Sequence, residues 1–324
     1  MKVVIQNEFG DPDVLMATEM DRPMVKEGEV LIKTGYTSVN YADIKKRKGA
    51  KDSGKFPMIL GLDVSGTIEE VGSNSSFSVG DRVIAFPIGG SYAEYVRATE
   101  QLVFKIPDDI SFQLAAAIPT VSILSYILIH EIGEVKKSDT IVIHSAAGGV
   151  GSMLVQLANE AGVEKVIATV GNLSKTEYVK KLGADVVCTY DTFTETVLNQ
   201  TDGRGADVIF DSVAGDVTGK SLDCLALYGT LVQFGNSSGK AGTFKTSDVH
   251  SSCRNVKGFS LGTTRKHKPE RLKPAAEKVL ELFSSEKVTL PIARIFDLSE
   301  AALAHQLIES RNYEGKVLLK IGGE

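Results

Sequence analysis

The sequence predicts an α/β protein of two domains, one rich in β-strands and one built on a doubly wound parallel sheet. Three observations support this prediction. The chain has 324 residues, more than one hydrophobic core usually accommodates. Short β-type runs separated by turn formers fill its first third. Apolar runs then alternate with helix-like segments, the pattern of a parallel sheet covered on both faces.

The β-rich domain is predicted to take residues 1–115. Its expected strands are MKVVIQ, GEVLIKTGYTSV, VSGTIEEVG, DRVIAF and SYAEYVRA. Gly, Pro, Asp or Ser separates each strand from the next, as turns require.

The parallel sheet is predicted within residues 116–263, which open with the apolar, helically spaced run AAAIPTVSILSYILIHEIG. The expected strands are TIVIHS, KVIATV, DVVCTY, DVIFDSV and GTLVQFG, and the helices between them are GSMLVQLANEAG, SKTEYVKKLGA, FTETVLNQT and TGKSLDCLALYG. Residues 264–324 add two helices, RLKPAAEKVLELFSSEKV and SEAALAHQLIESR, and a last strand, GKVLLKI. Because that strand lacks a βαβ context, we expect it to return to the β-rich domain.

Composition and charge argue against nucleic-acid binding, a membrane span and a cysteine-based metal or disulfide site. The net charge is −5, and basic residues are dispersed apart from KKRK at Lys45–Lys48, which we expect to be a solvated turn rather than a nucleic-acid contact. We find no apolar run of the ~18 residues that a membrane span needs, and no signal peptide, so we expect a cytoplasmic protein. The three cysteines form no CxxC pair, and we expect them to be buried.

A glycine turn, HSAAGGVG at His144–Gly151, joins a strand to a helix. Gly148 lets the backbone approach a ligand, and Gly151 lets the helix pack closely on the strand. The N–H groups at such a helix start attract a pyrophosphate, so the expected contacts are Ala147, Gly148, Gly149 and Val150. Ala146 replaces the first glycine of GxGxxG, and such a turn also serves packing alone. Five alternating strands and helices around it favour dinucleotide binding.

The second strand of the sheet indicates which dinucleotide binds. An NAD site carries Asp or Glu about twenty residues after the glycine turn, for the ribose hydroxyls. The matching stretch, Ala168–Lys175, has no acid, while Lys175, Ser174 and the backbone of Gly171 can bind a 2′-phosphate. The sequence therefore predicts NADPH. The alternative is that Lys175 only lies on a solvent-facing helical turn.

Six motifs resemble one family in their order along the chain. They are SVNYADIKKRKG (38–49), GLDVSGTIEEVG (61–72), VGDRV (79–83), AAGGVG (146–151), FGNSSG (234–239) and ESRNYEGKVLL (309–319). Over essentially its whole length the chain is similar to the zinc-free quinone oxidoreductases of the medium-chain dehydrogenase/reductase superfamily. The resemblance implies a GroES-like β-rich catalytic domain formed by both chain ends and an inserted Rossmann domain. It also implies a homodimer, paired through the sheet edge at NVKGFSLG.

The resemblance also bears on the chemistry. In the zinc alcohol dehydrogenases of the superfamily, a cysteine and a histidine ligate the metal where this chain has Asn40 and Leu62, so we expect no metal. Without a Lewis acid, the fitting acceptor is a small electrophile, a quinone or an α,β-unsaturated carbonyl, reduced by hydride transfer. Two alternatives stay open: an acryloyl- or enoyl-thioester reductase, and an NADPH-binding protein without turnover.

The family pattern suggests roles for single residues. Asn40 is expected to donate to the acceptor carbonyl, and Tyr41 to line the pocket, unless Asn40 stabilises a turn and Tyr41 only packs. Asp43 is expected to be structural, bonded to backbone or paired with Arg47. Further cofactor contacts are expected from Thr169, Tyr190, Val213, Phe234, Gly235, Ser237 and Arg311. FGNSSG could instead be a flexible loop, and Arg311 a surface charge.

Two departures from the family concern the acceptor pocket. The tyrosines that relatives carry shortly after the Asn40 motif are missing from residues 43–57, and Leu124 stands where relatives carry threonine.

Overall fold

The computed structural model describes residues 1–50 and 54–322. Residues 51–53, part of the segment in which tyrosines are missing, and residues 323–324 lie outside the described residues. The strands are β1 Lys2–Gln6, β2 Met16–Glu19, β3 Glu29–Val39, β4 Met58–Ile59, β5 Val64–Val71, β6 Arg82–Ala85, β7 Tyr95–Thr99, β8 Val103–Lys105, β9 Thr140–Ile143, β10 Lys165–Val170, β11 Val186–Thr189, β12 Ala206–Asp211, β13 Leu225–Gln233, β14 Asn255–Gly258, β15 Ile292–Asp297 and β16 Lys316–Lys320. The α-helices are α1 Tyr41–Arg47, α2 Phe112–Ile118, α3 Leu124–Ile127, α4 Gly149–Ala161, α5 Thr176–Lys181, α6 Phe193–Gln200, α7 Asp216–Asp223, α8 Thr246–His250, α9 Leu261–His267, α10 Leu272–Ser284 and α11 Ala301–Ser310.

The chain divides into two compact units. The first holds residues 1–123 and 265–324, and the second holds residues 124–264. Residues 116–123, which the sequence analysis gave to the second domain, therefore belong with the first. The reason is packing, because α2, which leads into this segment, lies against β3 and β5 of the first unit.

The first unit is built on a mostly antiparallel sheet in the order β15-β16-β3-β5-β6-β8, with β7 also pairing with β3. Its core includes Val30, Ile32, Val64 and Ile68, which are buried in β3 and β5. The last strand, β16, pairs antiparallel with β3 and sets Val317 opposite Val39. The expectation that this strand returns to the β-rich domain is confirmed.

The second unit is a parallel sheet in the order β11-β10-β9-β12-β13-β14. Counted within the unit, this is the 3-2-1-4-5-6 order of a doubly wound Rossmann sheet, as predicted. Because all strands are parallel, their carboxyl ends share one edge. The order reverses next to β9, and ligands of such sheets bind at that point, outside the carboxyl ends.

One predicted helix is too long. TGKSLDCLALYG was expected to be helical throughout, but α7 ends at Asp223 and β13 begins at Leu225. The carbonyl groups of Leu225 and Ala226 accept hydrogen bonds from the Arg254 guanidinium instead of closing helical turns. The register then shifts before Thr230, so a bulge occupies the predicted end of the helix.

The expectation that no apolar run reaches the length of a membrane span is wrong. Phe112–Ile132 is one helical stretch that is long and apolar enough, by those two criteria alone, to cross a membrane. Pro119, which lacks a backbone N–H, does not end this helical stretch. The chain continues through π-helical turns at Pro119–Ile123 and Leu128–Ile132. Most of the stretch is buried inside the protein, as in the core helix of a globular domain. Among the cysteines, Cys188 and Cys224 are buried as expected, whereas Cys253 is exposed.

Candidate functional site

The glycine turn of the second unit joins β9 to α4 through a dense set of hydrogen bonds. Ser145 takes a left-handed backbone with φ of 55°. Its N–H donates to Tyr190 Oη over 2.9 Å, and its Oγ lies 3.0 Å from the same oxygen. The N–H of Ala146 donates to the carbonyl of Thr169 over 3.0 Å. Neighbouring strands therefore fix the turn before any ligand arrives.

The two glycines expected to matter here differ in their surroundings. A Cβ on Gly151 would lie 2.2 Å from the carbonyl oxygen of Ser145 and 2.7 Å from Cα of Ala146, so only glycine lets α4 approach the turn this closely. A Cβ on Gly148 would lie 3.2 Å from the same oxygen. The first N–H groups of α4 have no helical partner and carry partial positive charge, which fits a pyrophosphate.

The side chain of Thr169 faces the protein interior. It is fully buried, and its Oγ lies 2.9 Å from Nδ1 of the equally buried His144. Nε2 of His144 lies 2.9 Å from Ser221 Oγ, whose hydrogen goes to the carbonyl of Val217. Burial lowers the pKa of His144 to about 4, which keeps the ring neutral. The structure thus places Thr169 behind the turn, which corrects its expected role as a direct contact.

The loop after β10 is uncharged until its helical end. Gly171 and Ser174 are exposed, and Lys175 is half-buried. Asn172 Oδ1 accepts a hydrogen bond from the N–H of Ser174 over 2.9 Å, which shapes the loop as an Asx turn. The loop carries no carboxylate in the stretch where an NAD site has one.

The loops after β12 and β13 are bonded to one another. The N–H of Ser237 donates to the carbonyl of Ser212 over 2.9 Å, and that of Phe234 donates to the carbonyl of Asp211 over 3.0 Å. A Cβ on Gly235 would lie 2.9 Å from the carbonyl oxygen of Ser212. The carboxyl edge of this sheet thus brings together, among the predicted residues, Ala147, Gly148, Gly149, Val150, Gly171, Ser174, Lys175, Tyr190, Val213, Phe234, Gly235 and Ser237. Arg311 lies elsewhere, exposed at the end of α11 in the first unit.

The first unit buries a polar cluster around Asn40, the residue that precedes α1. Asn40 Oδ1 accepts a hydrogen bond from Lys316 Nζ over 2.7 Å. Its Nδ2 donates to Asp63 Oδ2 over 2.8 Å and to Ser38 Oγ over 3.2 Å. Both amide hydrogens are therefore used inside the protein. Asn40 therefore has no amide hydrogen free to donate to an acceptor carbonyl, which was the role expected of it. Its side chain instead orients Lys316 and Asp63.

Two carboxylates frame this cluster. Asp63 Oδ1 accepts hydrogen bonds from the N–H and the hydroxyl of Thr120. Asp43 accepts from the N–H groups of Asn40 and Gly61, over 2.8 and 3.2 Å, so it binds backbone as one of the two structural alternatives expected. Burial raises the pKa of Asp43 to about 7, and those two hydrogen bonds oppose the rise.

Burial lowers the pKa of Lys316, whereas the charges of Asp63 and Asp43 raise it. The cluster therefore sets a buried ammonium against two buried carboxyl groups.

Arg47 does not pair with Asp43, and the KKRK run is not a solvated turn. Arg47 is fully buried at the end of α1, and its Nη2 donates to both carboxylate oxygens of Glu309 over 3.0 Å. Its Nη1 lies 3.1 Å from Nδ1 of His305, and Nε2 of that ring lies 2.9 Å from Tyr92 Oη. Burial lowers the pKa of His305 to about 3. This network ties α1 to α11 and supports the segment that carries Asn40.

Two family models match the chain, "Alcohol dehydrogenase GroES-like domain" over residues 26–108 and "Zinc-binding dehydrogenase" over residues 149–281. A probable quinone oxidoreductase of Schizosaccharomyces pombe is 34% identical over 97% of this chain and 95% of that protein. The chain belongs to the quinone oxidoreductase branch of the medium-chain dehydrogenases/reductases. Escherichia coli quinone oxidoreductase, in a crystal structure complexed with NADPH, superposes with a TM-score of 0.92 at 30% identity, covering 99% of this chain and 100% of that one. A 2-haloacrylate reductase of Burkholderia is 31% identical over 98% of each chain.

The zinc in one family description does not fit this member of the branch. Asn40, at the first ligand position, faces the ammonium of Lys316, and Leu62 offers no lone pair at the second. Within residues 1–50 and 54–322, no group of three or more His, Cys, Asp or Glu side chains is placed to hold a metal ion. The side chains at these two positions therefore do not form a zinc site.

Sequence reasoning missed Lys316, Asp63 and Thr120 in this dehydrogenase/reductase chain. Lys316 and Asp63 stand inside motifs that carry the resemblance, EGKVLL and GLDVSG, next to strand residues that face the core. A charged residue at such a position is a signal that could have found them. Tyr41, by contrast, was expected at the site and is 40% exposed at the start of α1.

Proposed function

We propose that this chain is an NADPH-dependent reductase that transfers hydride to quinones or α,β-unsaturated carbonyls without a metal ion. The observation that carries the proposal is the loop after β10, which has no carboxylate where an NAD site carries one and which ends in Lys175. A 2′-phosphate with nearly two negative charges suits such a loop. The NADPH complex of the Escherichia coli relative supports this choice of cofactor.

Residues of the second unit have separate tasks in this proposal. The segment Ala147–Val150 holds the pyrophosphate, and Gly171, Ser174 and Lys175 hold the 2′-phosphate. The N–H of Gly148 donates to the carbonyl of Ser145 over 2.9 Å, so the donors to the pyrophosphate are the other N–H groups of this segment. Tyr190 keeps Ser145, and with it the turn, in place. The remaining predicted contacts, at the nicotinamide end and from the first unit, are Val213, Phe234, Gly235, Ser237 and Arg311. When bound, NADPH supplies the hydride.

The acceptor is a small electrophile that Tyr41 contacts. Its phenol is exposed, whereas the amide of Asn40 is fully engaged and acts as a positioning residue for Lys316. Lys316 holds this segment through its hydrogen bond to Asn40, and Asp63 and Asp43 balance its charge. Water provides the proton. The 2-haloacrylate reductase among the relatives supports activated alkenes as acceptors.

The test is consumption of NADPH, followed by absorbance, with a panel of quinones, small enones and acyl thioesters, before and after treatment with a chelator. We expect turnover with quinones or enones and no loss after chelation. Turnover confined to acyl thioesters would replace the proposal by the thioester reductase. Tight NADPH binding with no consumption would indicate a binding protein without turnover.

We also propose a homodimer paired through β14 and a cytoplasmic location. Within the described residues β14 is the end strand of its sheet, bonded to β13 on one side, so its other side offers free backbone groups. The free thiols of Cys188, Cys224 and Cys253 suit a reducing compartment. Light scattering at micromolar concentration should give the mass of two chains, and a monomer there would refute the pairing.

A further inference from the structure

Arg265 is a half-buried arginine for which the described part of the chain supplies no hydrogen-bonded partner. It lies on α9, and its guanidinium carbon is 4.8 Å from the centroid of the Phe86 ring, over the ring face. Among residues 1–50 and 54–322, its guanidinium makes no hydrogen bond or ion pair. Arg82 also stacks on an aromatic ring, that of Phe112, but it donates to two backbone carbonyl groups. The five N–H donors of Arg265 are open to a ligand or to water.

The carboxylates near Arg265 are already occupied. Asp63 and Asp43 act on Arg265 through space and raise its pKa, while burial lowers it. The oxygens of Asp63 are taken by Asn40, Ser38 and Thr120. These two carboxylates therefore balance part of the charge of Arg265, and within residues 1–50 and 54–322 no group accepts a hydrogen bond from its guanidinium.

Arg265 belongs to the surroundings of Asn40. Both side chains lie in the first unit. Phe86, on whose ring Arg265 stacks, follows Ala85, and Ala85 pairs across the sheet with Val64. Val64 follows Asp63, which accepts a hydrogen bond from Asn40. Phe86 holds the guanidinium from one face, which limits its rotation and leaves its edge for a planar anion. A carboxylate matches that edge with two parallel hydrogen bonds.

We propose that Arg265 binds a carboxylate of the electron acceptor, so that the preferred substrates are α,β-unsaturated acids rather than neutral quinones. This proposal rests on the proposed function, since it names the acceptor of the same hydride transfer. The carbon–carbon π bond breaks as a hydride from the reduced cofactor adds at the β-carbon, and a water proton then adds at the α-carbon. Between these events negative charge spreads onto the carboxylate oxygens, where the guanidinium stabilises it.

The test compares acceptors that differ only in charge, an α,β-unsaturated acid and its methyl ester, together with a neutral quinone. For Arg265→Gln we expect kcat/KM to fall about ten- to a hundredfold with the acid and less than about threefold with the ester and the quinone. Arg265→Lys keeps the charge but loses the paired geometry, and should lose an intermediate factor with the acid. Arg294→Gln is the matched control, because Arg294 is exposed and stacks on Phe296 at 4.5 Å.

Two binding measurements separate the outcomes. The saturated acid should bind the NADPH complex of the wild-type protein and bind Arg265→Gln at least about tenfold more weakly, while the Kd for NADPH stays the same. A higher Kd for NADPH with an unchanged preference among acceptors would assign Arg265 to a cofactor phosphate and overturn the proposal. The proposal would also be overturned if Arg265→Gln lost kcat/KM equally with the acid and with the ester. The same holds if the wild-type protein reduced quinones but no unsaturated acid. In that last case the proposed function would still stand, whereas inactivity with every acceptor would remove both.

Discussion

A single methyl group added at Gly151 should disrupt the start of α4. The new Cβ would lie 2.2 Å from the carbonyl oxygen of Ser145, where an ordinary contact needs at least about 3.4 Å, so helix and turn must separate by about 1 Å. The atoms that meet it are backbone and cannot swing aside. Overpacking of this kind costs about 1–3 kcal/mol.

The consequence for NADPH follows from the same displacement. The turn presents the N–H groups that are proposed to hold the pyrophosphate, and their loss of alignment should raise the Kd for NADPH by at least about tenfold, or 1.4 kcal/mol. Urea unfolding would measure the first effect, and quenching or enhancement of nucleotide fluorescence the second.

Gly219→Ala provides the control for Gly151→Ala. Gly219 also lies within a helix of the second unit, α7, but its added Cβ would find its nearest neighbour, the carbonyl oxygen of Thr243, at 3.7 Å. Alanine should therefore stabilise this helix by about 0.5–1 kcal/mol and leave NADPH binding unchanged. If Gly151→Ala, like Gly219→Ala, lowered neither the free energy of unfolding nor the affinity for NADPH, the reasoning would be refuted. The close approach of α4 to the glycine turn would then not determine the position of the N–H groups.

Two further predictions concern pH and the turn. His144 and His305, with pKa values of about 4 and about 3, stay neutral in the folded protein, whereas the unfolded chain protonates both below about pH 6.5. Asp43, with a pKa of about 7, binds a proton in the folded protein that the unfolded chain does not bind above about pH 4. The unfolded chain therefore binds one more proton than the folded protein in this range. The free energy of unfolding should therefore fall by about 1.4 kcal/mol per pH unit between about pH 6 and 4.5, and a flat profile in urea unfolding would contradict this. Tyr190→Phe removes the oxygen that accepts from the N–H of Ser145, and should cost about 1–2 kcal/mol of stability and weaken NADPH binding. Titration calorimetry tests the binding, and an unchanged Kd would show that the turn holds without Tyr190.

The architecture could be predicted from sequence because its signals are local. Alternation of strands and helices gave the parallel sheet, and the glycine turn lies where the fold places a dinucleotide. The end of α7 could not be predicted in this way. Leu225–Tyr228 suits a helix or a strand by composition, and the choice is made by Arg254, which binds the carbonyl groups of Leu225 and Ala226 from 28 or more positions away.

The buried cluster of the first unit needed the folded chain. The bond between Asn40 and Lys316 joins residues 276 positions apart, and no spacing rule predicts such a contact. For the same reason the sequence left Asp43 with two alternatives, backbone or Arg47, because the actual partner of Arg47, Glu309, lies 262 positions away. Thr169 was expected to contact the cofactor, and only the position of His144 shows that its hydroxyl faces inward.

The most direct test of the account is a titration of the purified protein with NADPH and with NADH under identical conditions. A loop with no carboxylate in residues 168–175 and with Lys175 at its end predicts that NADPH binds at least about tenfold more tightly. Equal affinities, or tighter binding of NADH, would contradict it.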